Sequence, residues 1–171
     1  KYMDFALSEE QQAIYDMARD FGAEHIAPCA DKWDETAEMP REMLEEAAKL
    51  GLAAIYVPED QGGSGLSRLD ATLIFEALAL SCPSVSSFLS IHNMITWMVA
   101  TFGNETLQDK YLADLCQMKK IGSYCLTEPE SGSDAAALRT KAVRTNEGYQ
   151  LTGTKSFISG GDYSDLYVVM C

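Results

Sequence analysis

Eleven consecutive residues concentrate the groups of this chain that are best suited to ligand chemistry. They run from Tyr124 to Asp134 and read YCLTEPESGSD, which joins hydroxyl side chains, a turn-forming proline and closely spaced backbone amides. Hydroxyls and backbone N–H groups hydrogen bond to phosphate and ring oxygens without steric cost. The loop therefore suits an anionic or heteroaromatic ligand, and a plain surface loop remains the alternative. Strand alternation places Tyr124 and Leu126 on one side, and Cys125 and Thr127 on the other.

A second loop, Gln61 to Gly65, reads QGGSG and offers weaker chemistry. It lacks the Lys-Ser/Thr ending of a phosphate-binding P-loop, and its glycines do not have the GxGxxG spacing. We predict a connector whose glycines adopt positive φ angles.

The histidines and cysteines do not form a recognisable catalytic or metal site. His25 and His92 have no acidic or cysteine cluster at ligand spacing, so we predict structural or solvated roles for both. No Ser-His-Asp or Cys-His arrangement is indicated. The five cysteines are scattered and include no CxxC pair, which predicts neither a zinc site nor a disulfide framework and favours a reducing compartment: Cys29, Cys82, Cys116, Cys125 and Cys171.

The elements that must position these groups change character along the chain. Helical spacing and capping residues predict an all-helical bundle over residues 1–119, with Ser8 and Gln11 forming a capping box and Pro40 lying in a first turn. The predicted helices are 8–27, from Pro40 to Gly51, from Ser67 to Pro83, 84–102, and one capped by Asn104. Apolar residues on several faces of 84–102 indicate a buried helix.

After Lys120 the chain becomes a series of short segments between turn residues. Ser, Thr and Gly supply 19 of the first 119 residues and 17 of the last 52, which places a domain boundary near Lys119 and Lys120. We predict antiparallel strands at 121–127, 139–145, 149–152, 155–159 and 165–171, with reversals at 146–148 and 160–162. The last segment would leave an apolar edge unpaired, so we expect the chain to be a fragment of a longer protein.

Composition excludes several classes of protein. With 26 acidic and 13 basic side chains the net charge is −13, which argues against nucleic-acid binding. A hydrophobic fraction of 47% excludes wholesale disorder, and the longest apolar run, Leu52 to Val57, is too short to span a bilayer. No basic-then-apolar signal precedes Asp4, so a targeting segment is either absent or already removed.

The YCLTEPESGSD loop resembles the YC-x-TEP-x-[SA]GSD signature that opens the middle domain of the acyl-CoA dehydrogenases. Three further stretches are similar to that family and occur in its order: GGSGLSRLDATLIFEALA, FGNE at 102–105, and LTGTKSFISGG at 151–161. The resemblance implies an α+β fold. A helical N-terminal domain at 1–119 would precede an antiparallel, barrel-like flavin-binding middle domain that begins at 120–171 and is cut before the C-terminal helical domain.

The resemblance also implies an FAD site on two segments. Its contacts would be Tyr124, Leu126, Thr127, Gly132, Ser133, Phe157, Ile158 and Ser159. Ser133 would also lie near the CoA arm of the substrate, and Thr127 near the pyrimidine side of the flavin. Phe157 would present an aromatic surface beside the flavin ring, and Ser159 would donate a hydrogen bond to flavin N5.

Other positions follow from the same resemblance. Glu130 stands where many relatives have glycine, and we expect its side chain to point to solvent. The general-base glutamate of the family belongs to the C-terminal domain, so no catalytic residue is assigned here. The acyl tail should end against the 84–102 helix, with Ile91 or Ile95 as candidate pocket walls.

The implied activity is FAD-dependent oxidation of a short branched acyl-CoA, expected to be isobutyryl-CoA in valine degradation, to its 2-enoyl-CoA. Electrons would pass to electron-transferring flavoprotein. The implied assembly is a homotetramer, in the cytoplasm of a bacterium or the mitochondrial matrix of a eukaryote, and the fragment alone should be inactive. Another short-chain acyl-CoA dehydrogenase, an oxygen-using acyl-CoA oxidase or hydroxylase, and a non-catalytic acyl-CoA-binding protein remain alternatives.

Overall fold

A computed structural model describes residues 6–171, so Asp4 and the start of the chain examined for a targeting signal lie outside the described residues. The α-helices in this range are α1 (Glu9–Phe21), α2 (Ala30–Thr36), α3 (Arg41–Lys49), α4 (Arg68–Ala79), α5 (Pro83–Phe102) and α6 (Glu105–Cys116). None of the helices in residues 6–171 has both the length and the apolar content needed to cross a membrane.

Three of the predicted helix starts are confirmed by their capping bonds. Ser8 and Gln11 form a reciprocal capping box at α1, in which Gln11 N donates to Ser8 Oγ at 3.1 Å. Ser67 and Asp70 form a second capping box at α4. Asn104 Oδ1 accepts from Leu107 N at 3.0 Å and begins α6. Each cap satisfies a backbone donor that the helix itself leaves unpaired.

Three details of the helical part differ from the prediction. The first helix continues past Phe21 as a π-helical turn, Gly22–Ile26. Pro40 is the N-cap of α3 and not a first-turn residue, whereas Gly51, at φ 78°, follows the C-cap of α3 as predicted. The short helix α2 was not predicted, because it has no side-chain cap and is held by Trp33 packing against the core.

The main hydrophobic core is formed by buried residues of α1, α3, α4 and α5 and of the loop that follows α3. Phe88, Leu89 and Ile95 of α5 are buried, which confirms the buried helix. Asn93 is also fully buried: its amide donates to Leu52 O at 2.7 Å, and its Oδ1 accepts from the backbone N of residue 55 at 2.7 Å. These bonds satisfy the polar groups of a buried loop and fix it against α5.

The C-terminal part contains four strands in the described range, β1 (Gly122–Cys125), β2 (Lys141–Thr145), β3 (Gly148–Thr152) and β4 (Leu166–Val169). Strands β2 and β3 form the expected antiparallel hairpin, with Val143 opposite Gln150. Strands β1 and β4 pair in parallel, which corrects the antiparallel expectation for them. Their pairing also covers one side of the apolar edge that the sequence left open.

One carboxylate fixes the start of this parallel pair. Asp165 Oδ2 accepts from the backbone N of Ile121 at 2.9 Å and pairs with Arg41 Nη1 at 3.0 Å. Arg41 also donates to Tyr163 O at 3.0 Å. The residues just before β1 and β4 are therefore held together from the N-terminus of α3.

The predicted strand at 155–159 is wrong. Ser156 N donates to Thr127 O at 2.9 Å, so its donor is used by the neighbouring loop and not by a ladder. Phe157 has a φ of 55°, which is incompatible with extended backbone.

Gly153 lies where two segments approach closely. A Cβ added there would lie 2.3 Å from Thr140 Oγ1, so this approach requires glycine.

Candidate functional site

The YCLTEPESGSD loop begins inside strand β1 and lies beside the segment 157–159. Ser123, fully buried in β1, donates from Oγ to the backbone oxygen of Ser159 at 2.5 Å. Ser156 N, one residue before the second segment, donates to Thr127 O of the loop at 2.9 Å. The structure therefore brings together the two segments on which the predicted FAD contacts lie.

A tight turn shapes the outer part of the loop. Glu128 N donates to Ser131 O at 2.8 Å, Ser131 N returns a bond to Glu128 O at 3.1 Å, and Ser131 Oγ donates to Asp134 O at 2.7 Å. Gly132 and Ser133 are exposed, and a Cβ added at Gly132 would meet no atom within 4 Å. The turn thus presents backbone and a hydroxyl to open space.

A buried ion pair lies beneath this turn. Lys155 Nζ is 2.8 Å from Glu128 Oε1, and the two side chains are only 12% and 7% exposed. The same carboxylate accepts bonds from Arg139 N at 2.6 Å, Thr140 N at 2.9 Å and Thr140 Oγ1 at 2.5 Å. These donors, Lys155 foremost, lower the pKa of Glu128 from 4.5 to about 2, so the carboxylate stays ionised.

Glu130 points away from the turn into solvent, as expected. Its side chain is 70% exposed and pairs with Arg139 Nη1 at 2.6 Å. An exposed pair of this kind contributes little to stability, but it neutralises the carboxylate beside Gly132 and Ser133.

Phe157 combines a left-handed backbone with high exposure. Its φ is 55° and the residue is 96% exposed. A bulky residue in the left-handed region is strained, and such strain clusters at ligand sites. Ile158 is half-buried and Ser159 is exposed, so the segment displays a ring and a hydroxyl on the same surface stretch.

The two pocket-wall candidates on α5 differ in burial. Ile95 is fully buried, and a Cβ added at Gly122 would lie 2.4 Å from Ile95 Cγ2. Ile95 therefore belongs to the core between α5 and β1. Ile91 is half-buried and remains the candidate.

His92 is structural, as predicted. It is fully buried, its Nε2 is 2.9 Å from Leu115 O, and its Nδ1 accepts from Gly122 N at 3.2 Å. These partners assign the proton to Nε2. Burial lowers the pKa of His92 from 6.5 to about 4, so the ring is neutral and joins α6 and β1 to α5. His25 is half exposed and stacks on Phe21 with ring centroids 4.9 Å apart.

The QGGSG loop is a connector, as predicted. Gly62 and Gly65 have the predicted positive φ angles, 89° and 63°, but Gly63 does not. The amides of the following residues bond internally: Ser64 N to Ala54 O and Gly65 N to Val57 O, both at 2.9 Å. Amides used in this way are not available to a phosphate.

A concavity of about 750 Å³ lies beside the N-terminus of α5. Trp33 and Phe88 line it, and so do four carboxylates, Asp34, Glu38, Glu42 and Asp162. None of the eight predicted FAD contacts lines it. Its carboxylates would repel an anionic coenzyme, so the candidate site is the exposed loop surface and not this concavity.

Two family models match the chain. Residues 8–119 match the acyl-CoA dehydrogenase N-terminal domain, and residues 123–171 match the acyl-CoA dehydrogenase middle domain. The chain belongs to the acyl-CoA dehydrogenase family. The helical bundle followed by a β region agrees with the fold expected of that family.

Individual relatives agree with this assignment. The chain is 50% identical to the mitochondrial isobutyryl-CoA dehydrogenase of Bos taurus, over 96% of this chain and 40% of that protein. The solved glutaryl-CoA dehydrogenase of Mycobacterium smegmatis is 32% identical with a TM-score of 0.90, over 96% of this chain and 43% of that one. The FAD complex of PigA is 32% identical with a TM-score of 0.88, over 98% of this chain and 44% of that one.

The chain thus spans less than half the length of each of these three proteins. Its own residues nevertheless fit a flavin nucleotide. An exposed aromatic ring on strained backbone, two exposed serine hydroxyls and a glycine open to solvent lie on two segments that hydrogen bonds join, and the neighbouring carboxylate of Glu130 is neutralised. These are the groups that bind a planar heterocycle and phosphate oxygens.

Sequence reasoning missed Glu128 and Lys155, which hold this acyl-CoA dehydrogenase loop from below. Both lie inside the stretches that carry the family resemblance, yet neither had a role. They are 27 positions apart, and no local spacing rule connects residues at that separation. Only the fold shows that they meet.

Proposed function

We propose that this chain forms the helical and flavin-contacting part of an FAD-dependent acyl-CoA dehydrogenase. Its substrate would be a short branched acyl-CoA, isobutyryl-CoA, oxidised to the 2-enoyl-CoA in valine degradation. The observation that carries the proposal is the pairing of segments 124–134 and 157–159, which together expose Gly132, Ser133 and Phe157. The 50% identity to bovine isobutyryl-CoA dehydrogenase supports the choice of substrate.

Bound FAD would supply the acceptor for the hydride that leaves the β-carbon of the substrate. Tyr124, Leu126 and Thr127 would contact the flavin from the end of β1, and Phe157 and Ile158 from the second segment. The Ser159 hydroxyl would donate a hydrogen bond toward the reducible edge of the ring. A donor fixed there stabilises negative charge that develops during reduction.

Gly132 and Ser133 would form the phosphate side of the site. A glycine lets a phosphate approach the backbone closely, and the Ser133 hydroxyl would also reach the CoA arm of the substrate. The Glu130–Arg139 pair supports this placement, since a free carboxylate would repel phosphate and the paired one is neutralised.

The remaining assignments are part of the same proposal. The boundary between the helical and β domains would fall at Lys119 and Lys120, and the family matches that end at 119 and resume at 123 support it. Electron-transferring flavoprotein would accept the electrons, and the enzyme would be a homotetramer. The mitochondrial bovine relative supports a matrix location in a eukaryote; a bacterial enzyme would be cytoplasmic.

Anaerobic addition of acyl-CoA to the full-length, FAD-loaded protein tests the proposal. We expect the flavin absorbance band to bleach faster and more completely with isobutyryl-CoA than with butyryl-CoA or octanoyl-CoA. Bleaching only with a straight-chain substrate would keep the dehydrogenase and overturn the substrate. Hydrogen peroxide release in air would indicate an oxidase, and a flavin unresponsive to every acyl-CoA would indicate a binding protein.

A further inference from the structure

We propose that Glu128 and Lys155 are positioning residues that hold the two flavin-contacting segments, 124–134 and 155–159, at one fixed separation. The inference rests on the function proposed above and extends it to residues that touch neither flavin nor substrate. We call this pair the clasp.

The clasp joins the segments at more than one point. Lys155 Nζ donates to Glu128 Oε1 at 2.8 Å and to the backbone oxygen of Leu126 at 2.9 Å. One ammonium thus holds both ends of the Leu126-Thr127-Glu128 stretch. Because Ser156 N binds Thr127 O at 2.9 Å, the residue between them is held as well.

Glu128 fixes the far side of the loop through the same carboxylate. Its two oxygens accept three bonds from Arg139 and Thr140, at 2.5–2.9 Å. The loop leaves β1, turns outward at 129–133 and returns at 139–140, so Glu128 closes it at its base. The base of the outward turn that carries Gly132 and Ser133 is therefore bonded, through this one carboxylate, to Lys155, two residues before Phe157.

Burial makes the two charges act as a unit. The side chains are 12% and 7% exposed, so removing either charge leaves the other desolvated without its counter-ion. A buried pair broken on one side costs much more than an exposed one. The loop should then shift or take up water, and the separation of the two segments should change.

The same loop contains a matched control. The Glu130–Arg139 pair is equally short, at 2.6 Å, but its side chains are 70% and 78% exposed and both belong to the one loop. Arg139 contributes to the clasp only through its backbone N, which a side-chain substitution leaves in place. Replacing this exposed pair removes one acidic and one basic side chain, as the clasp double variant does, and leaves the clasp in place.

The experiment uses the full-length protein with Lys155→Met, Glu128→Gln, the double variant, and the control double variant Glu130→Gln/Arg139→Met. The dissociation constant of FAD is measured from the recovery of free FAD fluorescence. The surroundings of the bound flavin are monitored by its visible circular dichroism. We expect each clasp variant to weaken FAD binding at least tenfold and to alter the flavin dichroism. The clasp double variant should be no weaker than the weaker single variant, since the two act as a unit. The control should stay within twofold of wild type.

Hydrogen exchange of the FAD-free protein provides a second readout that needs no cofactor. In the clasp variants, backbone amides should exchange faster in 124–134 and 155–159. Exchange in α1 and α4 should be unchanged, which also shows that the helical part is folded. The clasp would be overturned if its variants kept wild-type FAD affinity and dichroism. It would also be overturned if the loss of affinity in the double variant were the sum of the losses in the two single variants. A lower melting temperature with unaltered flavin dichroism and affinity would do the same. A wild-type protein that binds no FAD would instead overturn the proposed function.

Discussion

Ser159 combines two separable roles in one residue. Its backbone oxygen accepts the bond from Ser123 Oγ at 2.5 Å and holds the segment against β1, while its side chain is exposed. A substitution of the side chain therefore leaves the segment in place. The hydroxyl becomes a group whose chemistry is testable without disturbing the fold.

Ser159→Ala should slow flavin reduction by about 100-fold, because a donor aimed at developing charge is lost. FAD affinity should change much less. Rapid-mixing measurements of flavin bleaching by isobutyryl-CoA give the rate, and fluorescence titration gives the affinity. Thr154→Ala, an exposed hydroxyl nearby, is the control. Equal reduction rates in wild type and the Ser159 variant would remove the donor role.

The helix α5 separates core from surface along one element. Ile95 is fully buried against Gly122, whereas Ile91, one helical turn earlier, is half-buried. Residues four apart lie on the same side of a helix, but the packing of β1 covers only the later one. The pair therefore distinguishes a specificity role from a stability role.

Ile91→Ala should relax chain-length selectivity, raising kcat/KM for octanoyl-CoA relative to isobutyryl-CoA in the full-length enzyme. Ile95→Ala should leave that ratio unchanged and lower the free energy of unfolding by about 2–5 kcal/mol, since it leaves a cavity. Steady-state kinetics and urea unfolding measure the two effects. An unchanged ratio in the Ile91 variant would exclude it as a pocket wall.

The cap of α4 offers a test of a purely local interaction. Ser67 Oγ accepts from Asp70 N at 3.2 Å, and the Asp70 carboxylate accepts from Ser67 N and from Gln11 Nε2 of α1. Ser67→Ala should lower the free energy of unfolding by about 1 kcal/mol. Ser87→Ala, at an exposed position inside α5, should leave this free energy unchanged or raise it by a few tenths of a kcal/mol, since Ala favours helix more than Ser. Urea unfolding compares them, and equal stabilities of the two variants would contradict the capping role.

At this scale, the accuracy of sequence-based prediction depended on the range of the stabilising contacts. The starts at Ser8, Ser67 and Asn104 were predictable because each cap acts within three residues. Helix α2 was not, since Trp33 holds it through the core. The strand predicted at 155–159 was wrong because Ser156 N donates to a loop that is distant in sequence, which no local pattern shows. The site residues came from a family resemblance, and no spacing rule joins Glu128 to Lys155.

In the whole molecule, a neutral histidine joins the helical part to the β part. His92 lies on α5 and bonds to Leu115 of α6 and to Gly122 of β1. Gly122 falls between the two family-model matches. Most acidic groups lie on the helical side: residues 1–119 carry 20 acidic and 8 basic side chains. An anionic substrate should accordingly approach from the β side.

The His92 junction should make stability depend on pH. Its pKa is lowered to about 4 from 6.5, so the unfolded chain binds the proton more readily. Stability is full above pH 6.5 and falls as the pH drops from 6.5 toward 4, by about 3 kcal/mol at most. Denaturant unfolding between pH 8 and 4.5 measures it. His92→Gln should lose this dependence and the exposed His25→Gln should keep it; parallel pH profiles for wild type and His92→Gln would exclude the role.

The parallel pairing of β1 with β4 also sets an order of events during synthesis. Residues 6–119 contain their own apolar core and can begin to pack as soon as α5 and α6 have left the ribosome. Strand β1 follows at once, but its partner begins at Leu166, after some 40 further residues have been added. Until then the backbone donors and acceptors of β1 have no ladder, and the nascent chain carries an open strand edge through that interval.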